Sequence, residues 1–459
     1  MSYPRLAIAI AMVAPIATHA ATFVITKGGT YSGTWINTDP PVVQNTGYPV
    51  PVAPPAVRVE TTEPVVLQDC TIKGKGLLID ATYSFTNITV KNCVVEGLNP
   101  DVRGVQQDRF IGTYRPHSLQ VIGNTIINTA GIYVDGGTYD PQAGNQNEPL
   151  RGPLLITRND VRNINGLVSD GLGGYLVNRP YAEVISTRPL VRNAKGELEP
   201  AWIPLVQFVQ LNHVRSTHNK SMEISWNRVI NKPGQSAVED NINIVESQGT
   251  ASTPLRIHNN FIQGAYPADS NKGGYSGGGI ITDGNPTSSV DPHVSAYVWI
   301  YDNHIVDTVN YGIQLASGHH HAVFNNRLIG WNSVNGIIAS ASPPYLVHPS
   351  GNVGLSSWLY RDGEGNVLPY SLSNFHSNVY RDNLSWWSRG SREDGVLIDP
   401  ANSLNNMYYL VDCEMGAGNR CDAPRPFAKV PLPSEELVRF NTKAAVGLIK
   451  IGARASWVR

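Results

Sequence analysis

Charge is scarce in this chain: only 15% of its 459 residues are Asp, Glu, Lys or Arg. The 36 acids and 35 bases nearly cancel, for a formal net charge of -1. Such a balance gives no overall field to draw the chain to nucleic acid or an anionic membrane, so neither is expected as a partner. With 41% hydrophobic residues, the chain also has too little charge and too much apolar material to be disordered. Long apolar runs are missing too. No segment reaches the ~20 consecutive apolar residues of a membrane span, so no membrane insertion is expected. Cysteine is sparse. Four residues do not make a disulfide scaffold, though they fit an oxidising compartment, and no CxxC or Cys/His zinc spacing is present.

What is abundant is turn chemistry. The chain holds 43 Gly and 32 Pro, with Asn recurring in short motifs, as turn-rich β structure requires. Its first twenty residues, MSYPRLAIAIAMVAPIATHA, place Arg5 before an apolar run from Leu6 to Ile16 and a small-residue site ending at Ala20. This is the pattern of a signal peptide over 1–20, which predicts a secreted protein, extracellular or periplasmic.

One phrase recurs along the chain: a β-rich run, then Asn, one residue, and an apolar residue. It reads KNCVV, GNTII, RNDVR, WNRVI, HNNFI, DNHIV and NNRLI, with anchors Asn92, Asn124, Asn159, Asn227, Asn259, Asn303 and Asn326. A second phrase sets Gly before alternating apolar residues: GIYVDGG, GLVSDG, GIITDG, GIQLASG and GIIAS. The shortest anchor interval, 23 residues, fits one coil of two or three short strands, with loops filling the longer intervals. Each strand carries too few inward apolar residues to bury alone, so the coils must stack. The expectation is an all-β, single-domain, right-handed parallel β-helix. Asn at the corner tolerates left-handed geometry, and its amide can bond the coils above and below. A β-sandwich, the main rival, gives no reason for near-identical corner phrases.

The expected layout is an N-terminal cap with first strands over 21–64, then the β-helix over 65–394, then a C-terminal cap or tail over 395–459. Insertions are expected at 173–203, where NAKGELEP reads as a hairpin tip or excursion, and at 340–372. SEELVRFNTKAAVGLI is the helix candidate of the C-terminal cap. Cys70 in QDCTIKG and Cys93 in KNCVVEG share one local pattern. Stacked about 4.8 Å apart, they would form either a disulfide or a pair of inward thiols. Cys413 and Cys421 bracket EMGAGNR, where a small disulfide loop is expected.

The signal peptide pattern, the opening ITKGGTYSGTW and the Asn-Gly coil grammar together resemble the pectate-lyase-like superfamily of right-handed parallel β-helix proteins, over roughly residues 22–390. That resemblance implies the fold and a choice of activities: polysaccharide lyases, glycoside hydrolases, uronate epimerases, phage tailspikes and adhesins. NKSMEISWNRVIN, holding Lys220, resembles a coil of chondroitinase-B-like and alginate lyases, in which that Lys is the base. The acidic calcium ligands expected before it are absent, since LNHVRSTH stands there. DPHV at 291–294 is similar to the DPHD signature of mannuronan epimerases, with Val294 in place of the last Asp, and reads as a loop.

Aligning the Gly-initiated strands puts Asp135, Asp170 and Asp283 in one column, with Glu246 there or one residue later. Coils about 4.8 Å apart would space such acids as glycosidase carboxylate pairs require, roughly 5–5.5 Å or 6.5–9.5 Å. Glu246 and Asp283 are the first pair, with Asp170 a further candidate. Alternatively Asp135, Asp170 and Asp283 would bind calcium through hard oxygen ligands. The plainer reading is that Asp before Gly completes a turn. Arg215, Lys220 and His319, beside His213, His218, His320 and His321, are candidate bases or charge stabilisers. Tyr175, Tyr266, Tyr275 and Trp386 are candidate stacking residues for sugar faces. The expected function is a secreted carbohydrate-active enzyme, a polysaccharide lyase or glycoside hydrolase acting along the coils. A non-catalytic glycan-binding or surface-structural protein is the alternative, and a uronate epimerase the third. A monomer is the default.

Overall fold

The computed structural model describes residues 21–43, 51–137, 150–176, 190–192, 198–200, 205–216, 220–266, 277–287, 293–308, 310–330, 333–334, 337–338, 353–387 and 408–453. Residues 1–20, where a signal peptide is expected, and His218 and Tyr275 lie outside them. Within them the chain winds through three parallel sheets of 11, 11 and 10 strands, each strand pairing with its counterpart one coil away. This is a right-handed parallel β-helix. Every coil visits the sheets in one order, as in Ile132–Asp135 of the first sheet, Leu154–Thr157 of the second and Asp160–Arg162 of the third.

Inward residues alternate along each strand and stack by identity of shape. Ile132, Val209, Ile242, Ile280 and Ile313 fill one column of the core, all of them fully buried. Parallel strands buried on the inside and linked by short corners need no other layer to close the core.

The corner between the second and third sheets is where the Asn phrase acts. The amide of Asn124 donates to Asn159 Oδ1 at 3.0 Å, and so on through Asn227, Asn260, Asn303, Asn326 and Asn383. Each backbone N–H bonds the next Oδ1 as well, for example Asn227 N to Asn260 Oδ1 at 3.0 Å. Two of the expected anchors are displaced by one residue. Asn92 and Asn259 take the preceding left-handed position, with φ of 55° and 53°, and Cys93 and Asn260 occupy the ladder itself. The phrase HNNFI holds two Asn in succession, and the sequence does not distinguish the one that turns from the one that stacks. Cys70 and Cys93 fill the ladder in its first coils as a disulfide, their Cα atoms 4.5 Å apart.

The coils begin earlier and end later than the expected 65–394. Phe23–Ile25, Gly29–Tyr31 and Thr34–Asn37 already form a complete coil, pairing in parallel with the next. At the other end Tyr408–Tyr409 and Arg420–Cys421 extend two of the sheets. Val353–Ser357, inside the expected insertion 340–372, is a strand of the first sheet, whereas Ile337–Ile338 of GIIAS pairs antiparallel with Ser333–Val334 outside the coils. Leu190–Arg192 and Leu198–Pro200 form an antiparallel pair within 173–203.

The last coil is closed by the short helix Val411–Met415, tied back by the Cys413–Cys421 disulfide and by the buried Asp412 carboxylate paired with Arg361. The longer helix, Pro433–Val446, does not cap an end. It lies on the outer face of the third sheet, where Phe440 meets Phe261 at 5.6 Å and the Glu436 carboxylate binds His304 and Arg327. Phe261 and Val306 point outward there and need a cover, which the apolar stripe of the helix supplies. No helix among the described residues is long and apolar enough to cross a membrane.

Candidate active site on the first sheet

Strand register on the first sheet aligns Asp135 with Asn212, Asn212 with Val245, and Val245 with Asp283. Asp135 and Asp283 therefore share an outward-facing column, three coil steps or roughly 14 Å apart. Glu246 falls one residue later, level with His213. Both take left-handed backbone, φ 49° and 55°, which turns the chain out of the sheet and brings the two side chains together at the corner. His213 Nε2 lies 3.1 Å from Glu246 Oε2. From the following coil, His293 places Nδ1 2.8 Å from the same oxygen. The other nitrogen of His213, Nδ1, faces Asp135 Oδ1 at 3.6 Å.

The backbone fixes this constellation. Glu246 N donates to Asp283 O at 3.0 Å, and Val214 N donates to Ser247 Oγ at 2.9 Å. Glu246 itself is buried, with 8% of its surface exposed. Burial by itself would raise the pKa of its carboxyl. The hydrogen bonds from His213 and His293 outweigh that and hold Glu246 below its ordinary value. The neighbouring carboxylates of Asp135 and Glu246 push His213 up to about 9, against the opposing effect of burial.

Asp283 has the opposite environment. Burial raises its pKa, while the Tyr360 hydroxyl, donating to Oδ1 at 2.6 Å, and Gly284 N at 2.8 Å restrain the rise. Two carboxylates on adjacent coils thus have their protonation pushed apart: Glu246 is held ionised while Asp283 retains a proton more readily. The outer face beside them carries polar atoms without hydrogen-bond partners, Asn212 Oδ1 and Asn243 Oδ1. Asn243 is 6% exposed and aligns with Gln210 and Ile281.

The other expected residues are scattered. Asp170 is not in the column. It lies in a turn off the coils, where its Oδ1 accepts from Leu172 N and Gly174 N, so GLVSDG is a turn phrase that mimics a strand end. Arg215 and Lys220 share the corner segment that follows His213. Arg215 pairs its backbone with Gln248, and the Lys220 carbonyl accepts from Ser216 Oγ. His319 joins a separate group, stacked on His376 with ring centres 4.9 Å apart, and burial lowers it to about 4, so it is neutral at pH 7. Of the expected stacking residues, Tyr266 and Trp386 are buried, at 5% and 8% exposed, and present no ring face to a sugar. Tyr175 is half-buried and bridges to Ser169 beside the Asp170 turn.

The sequence reading missed His293 and Tyr360 as site residues. DPHV carried a signal for His293. Tyr360 follows a strand that the reading assigned to an insertion, so nothing pointed to it.

Calcium does not fit. It takes six to eight oxygen ligands. Asp135 and Asp283 are three coils apart and Asp170 is elsewhere, so the three acids do not converge. The side chains that do converge, His213, Glu246 and His293, offer two nitrogens and one oxygen, all within 4.8 Å of one another. No protein-family model matches the chain, and no curated protein is significantly similar to it.

Proposed function

We propose that this protein is an exported carbohydrate-active enzyme that cleaves an extracellular polysaccharide laid against the outer face of the first sheet. The observation that carries the proposal is the oppositely tuned pair of Asp283 and Glu246 on adjacent coils. Cleaving a glycosidic bond, by water or by elimination, requires a proton on the leaving oxygen and a group that accepts one from water or from the sugar ring. Asp283, with Tyr360 on its Oδ1, is the proton donor. The ionised Glu246, held between His213 and His293, is the opposing pole that accepts a proton. The coil grammar and opening sequence that resemble the pectate-lyase-like superfamily support the same reading, as does the apolar, small-residue N-terminus for export.

The test is a polysaccharide panel with two readouts: ultraviolet absorbance of a new C4–C5 double bond, and new reducing ends. Glu246→Gln and Asp283→Asn are expected to lower turnover at least about 10³-fold, while Asp170→Asn stays within about twofold. Absence of turnover on every glycan, or full turnover in Asp283→Asn, would overturn the proposal. Binding without cleavage would favour a glycan-binding protein.

His293 favours one variant of this chemistry. It comes from DPHV, the phrase similar to the epimerase signature, and it touches Glu246. A uronate epimerase would remove the C5 proton and return one to the opposite face. Deuterium uptake at C5 without new ends or absorbance would identify it.

A further inference from the structure

His213, Glu246 and His293 bring two imidazole nitrogens and one carboxylate oxygen within 4.8 Å of one another. We propose that they form the site of one divalent transition-metal ion of the zinc class, with Asp135 orienting His213. Four observations carry this.

The donor set is the first. Two imidazoles and a carboxylate are ligands of borderline softness, suited to zinc, iron or cobalt and poorly suited to calcium or magnesium. Spacing is the second. An ion bound at about 2.1 Å holds neighbouring donors roughly 3.0–3.4 Å apart. His213 Nε2 stands 3.1 Å from Glu246 Oε2, inside that range, and His293 Nδ1, at 2.8 Å, would move outward by a few tenths of an ångström to admit the ion. An ion would replace the protons those contacts now share.

The third is the second nitrogen of His213. Asp135 lies on the Nδ1 side, away from Glu246, in the carboxylate–histidine–metal order that fixes ring tautomer and orientation. The fourth is preorganisation. His213 and Glu246 sit at successive levels of one corner in the same left-handed conformation, and backbone bonds to Ser247 and Asp283 hold them there. Charge agrees as well: with both imidazoles neutral, the carboxylates of Glu246 and Asp135 balance a divalent ion.

Three protein ligands leave at least one coordination position open, which is the form of a catalytic site and not a structural one. The ion would supply Lewis acidity at that pole. The metal site does not depend on glycan cleavage, because it is measured without substrate.

The experiment strips the purified protein with chelator and titrates it calorimetrically at pH 7.5 with zinc and, separately, with calcium. One zinc per chain is expected with a Kd of about 1 µM or tighter, and calcium should give no saturable heat. His293→Ala should weaken zinc at least about 100-fold and Asp135→Asn about 10- to 100-fold. Lowering the pH should weaken binding, since protons compete for the imidazoles. Should His293→Ala not fold, wild type loaded with cobalt decides, because shifted imidazole N–H signals count the histidine ligands. Two are expected. No stoichiometric zinc, zinc affinity unchanged in a folded His293→Ala, or a histidine count other than two would overturn the site. Zinc bound without cleavage of any glycan would leave the metal site standing and remove the enzyme reading.

Discussion

Replacing Glu436 with Gln should loosen the C-terminal helix from the third sheet, by an amount the structure sets. The Glu436 side chain is fully buried and binds His304 and Arg327, the second Arg327 bond being 2.9 Å. Burial lowers His304, so that ring bonds as a neutral imidazole and Arg327 supplies the positive charge. Burial would also raise Glu436. The bonds from His304 and Arg327 outweigh it and hold the carboxyl at about 2, against an ordinary 4.5. At about 1.4 kcal/mol per tenfold change in proton affinity, that depression corresponds to about 3 kcal/mol. The same figure is at the low end of the about 3–5 kcal/mol for breaking a buried pair, as fits an Arg327 that is partly exposed. The sign follows from the direction of the shift. A depressed carboxyl stabilises the fold above its unfolded value of 4.5, and that contribution is lost as pH falls through about 2. Wild type should therefore exceed Glu436→Gln by about 3 kcal/mol at pH 6, and by about 1 kcal/mol or less near pH 2.5. Urea unfolding at both pH values measures the gap, and hydrogen exchange over Pro433–Val446 detects the helix opening by itself. Equal stability and equal exchange at pH 6 would refute the reasoning, as would a gap unchanged at acid pH.

The asparagine ladder makes a second contrast. Asn227→Ala removes bonds to Ile156 O, Asn260 Oδ1, Asn159 N and Asn159 Nδ2 from a fully buried position, for a loss of about 3–5 kcal/mol. Asn325→Ala, at an exposed left-handed corner, should cost about 1 kcal/mol, and equal losses in chemical denaturation would deny the ladder its role. Substituting both Cys70 and Cys93 by Ser opens a 23-residue loop and should cost about 3 kcal/mol, visible as a lowered Tm; an unchanged Tm would show that stacking alone holds those coils. Finally, activity should fall on the alkaline side as Asp283 loses its proton. Tyr360 restrains the rise in that carboxyl, so Tyr360→Phe should move the alkaline limb to higher pH, and a limb that stays or moves down would remove Asp283 as the acid.

The coil architecture was legible in the sequence because its causes are local. Strand alternation, a residue that tolerates left-handed backbone and an amide that bonds its equivalent all recur within each repeat. The same locality made the Cys70 and Cys93 pattern readable, since both sit at the ladder position. It also set the limits. In KNCVV and HNNFI the ladder residue is one place later than in GNTII, and only the stacking against Asn124 and Asn303 shows it.

Tertiary structure alone decided which corner residues meet. Glu246 and His293 touch although they are 47 residues apart, and Asp170 ends in a turn although its phrase matches that of Asp283. Each coil climbs by one fixed strand spacing, whatever the length of the loop between its strands. Sequence distance therefore carries the repeat but not the neighbours, and it says nothing of what covers an outer face. That is why Tyr266 and Trp386 read as exposed rings yet are buried, and why the helix at 433–446 was legible as a helix while its docking on the third sheet was not.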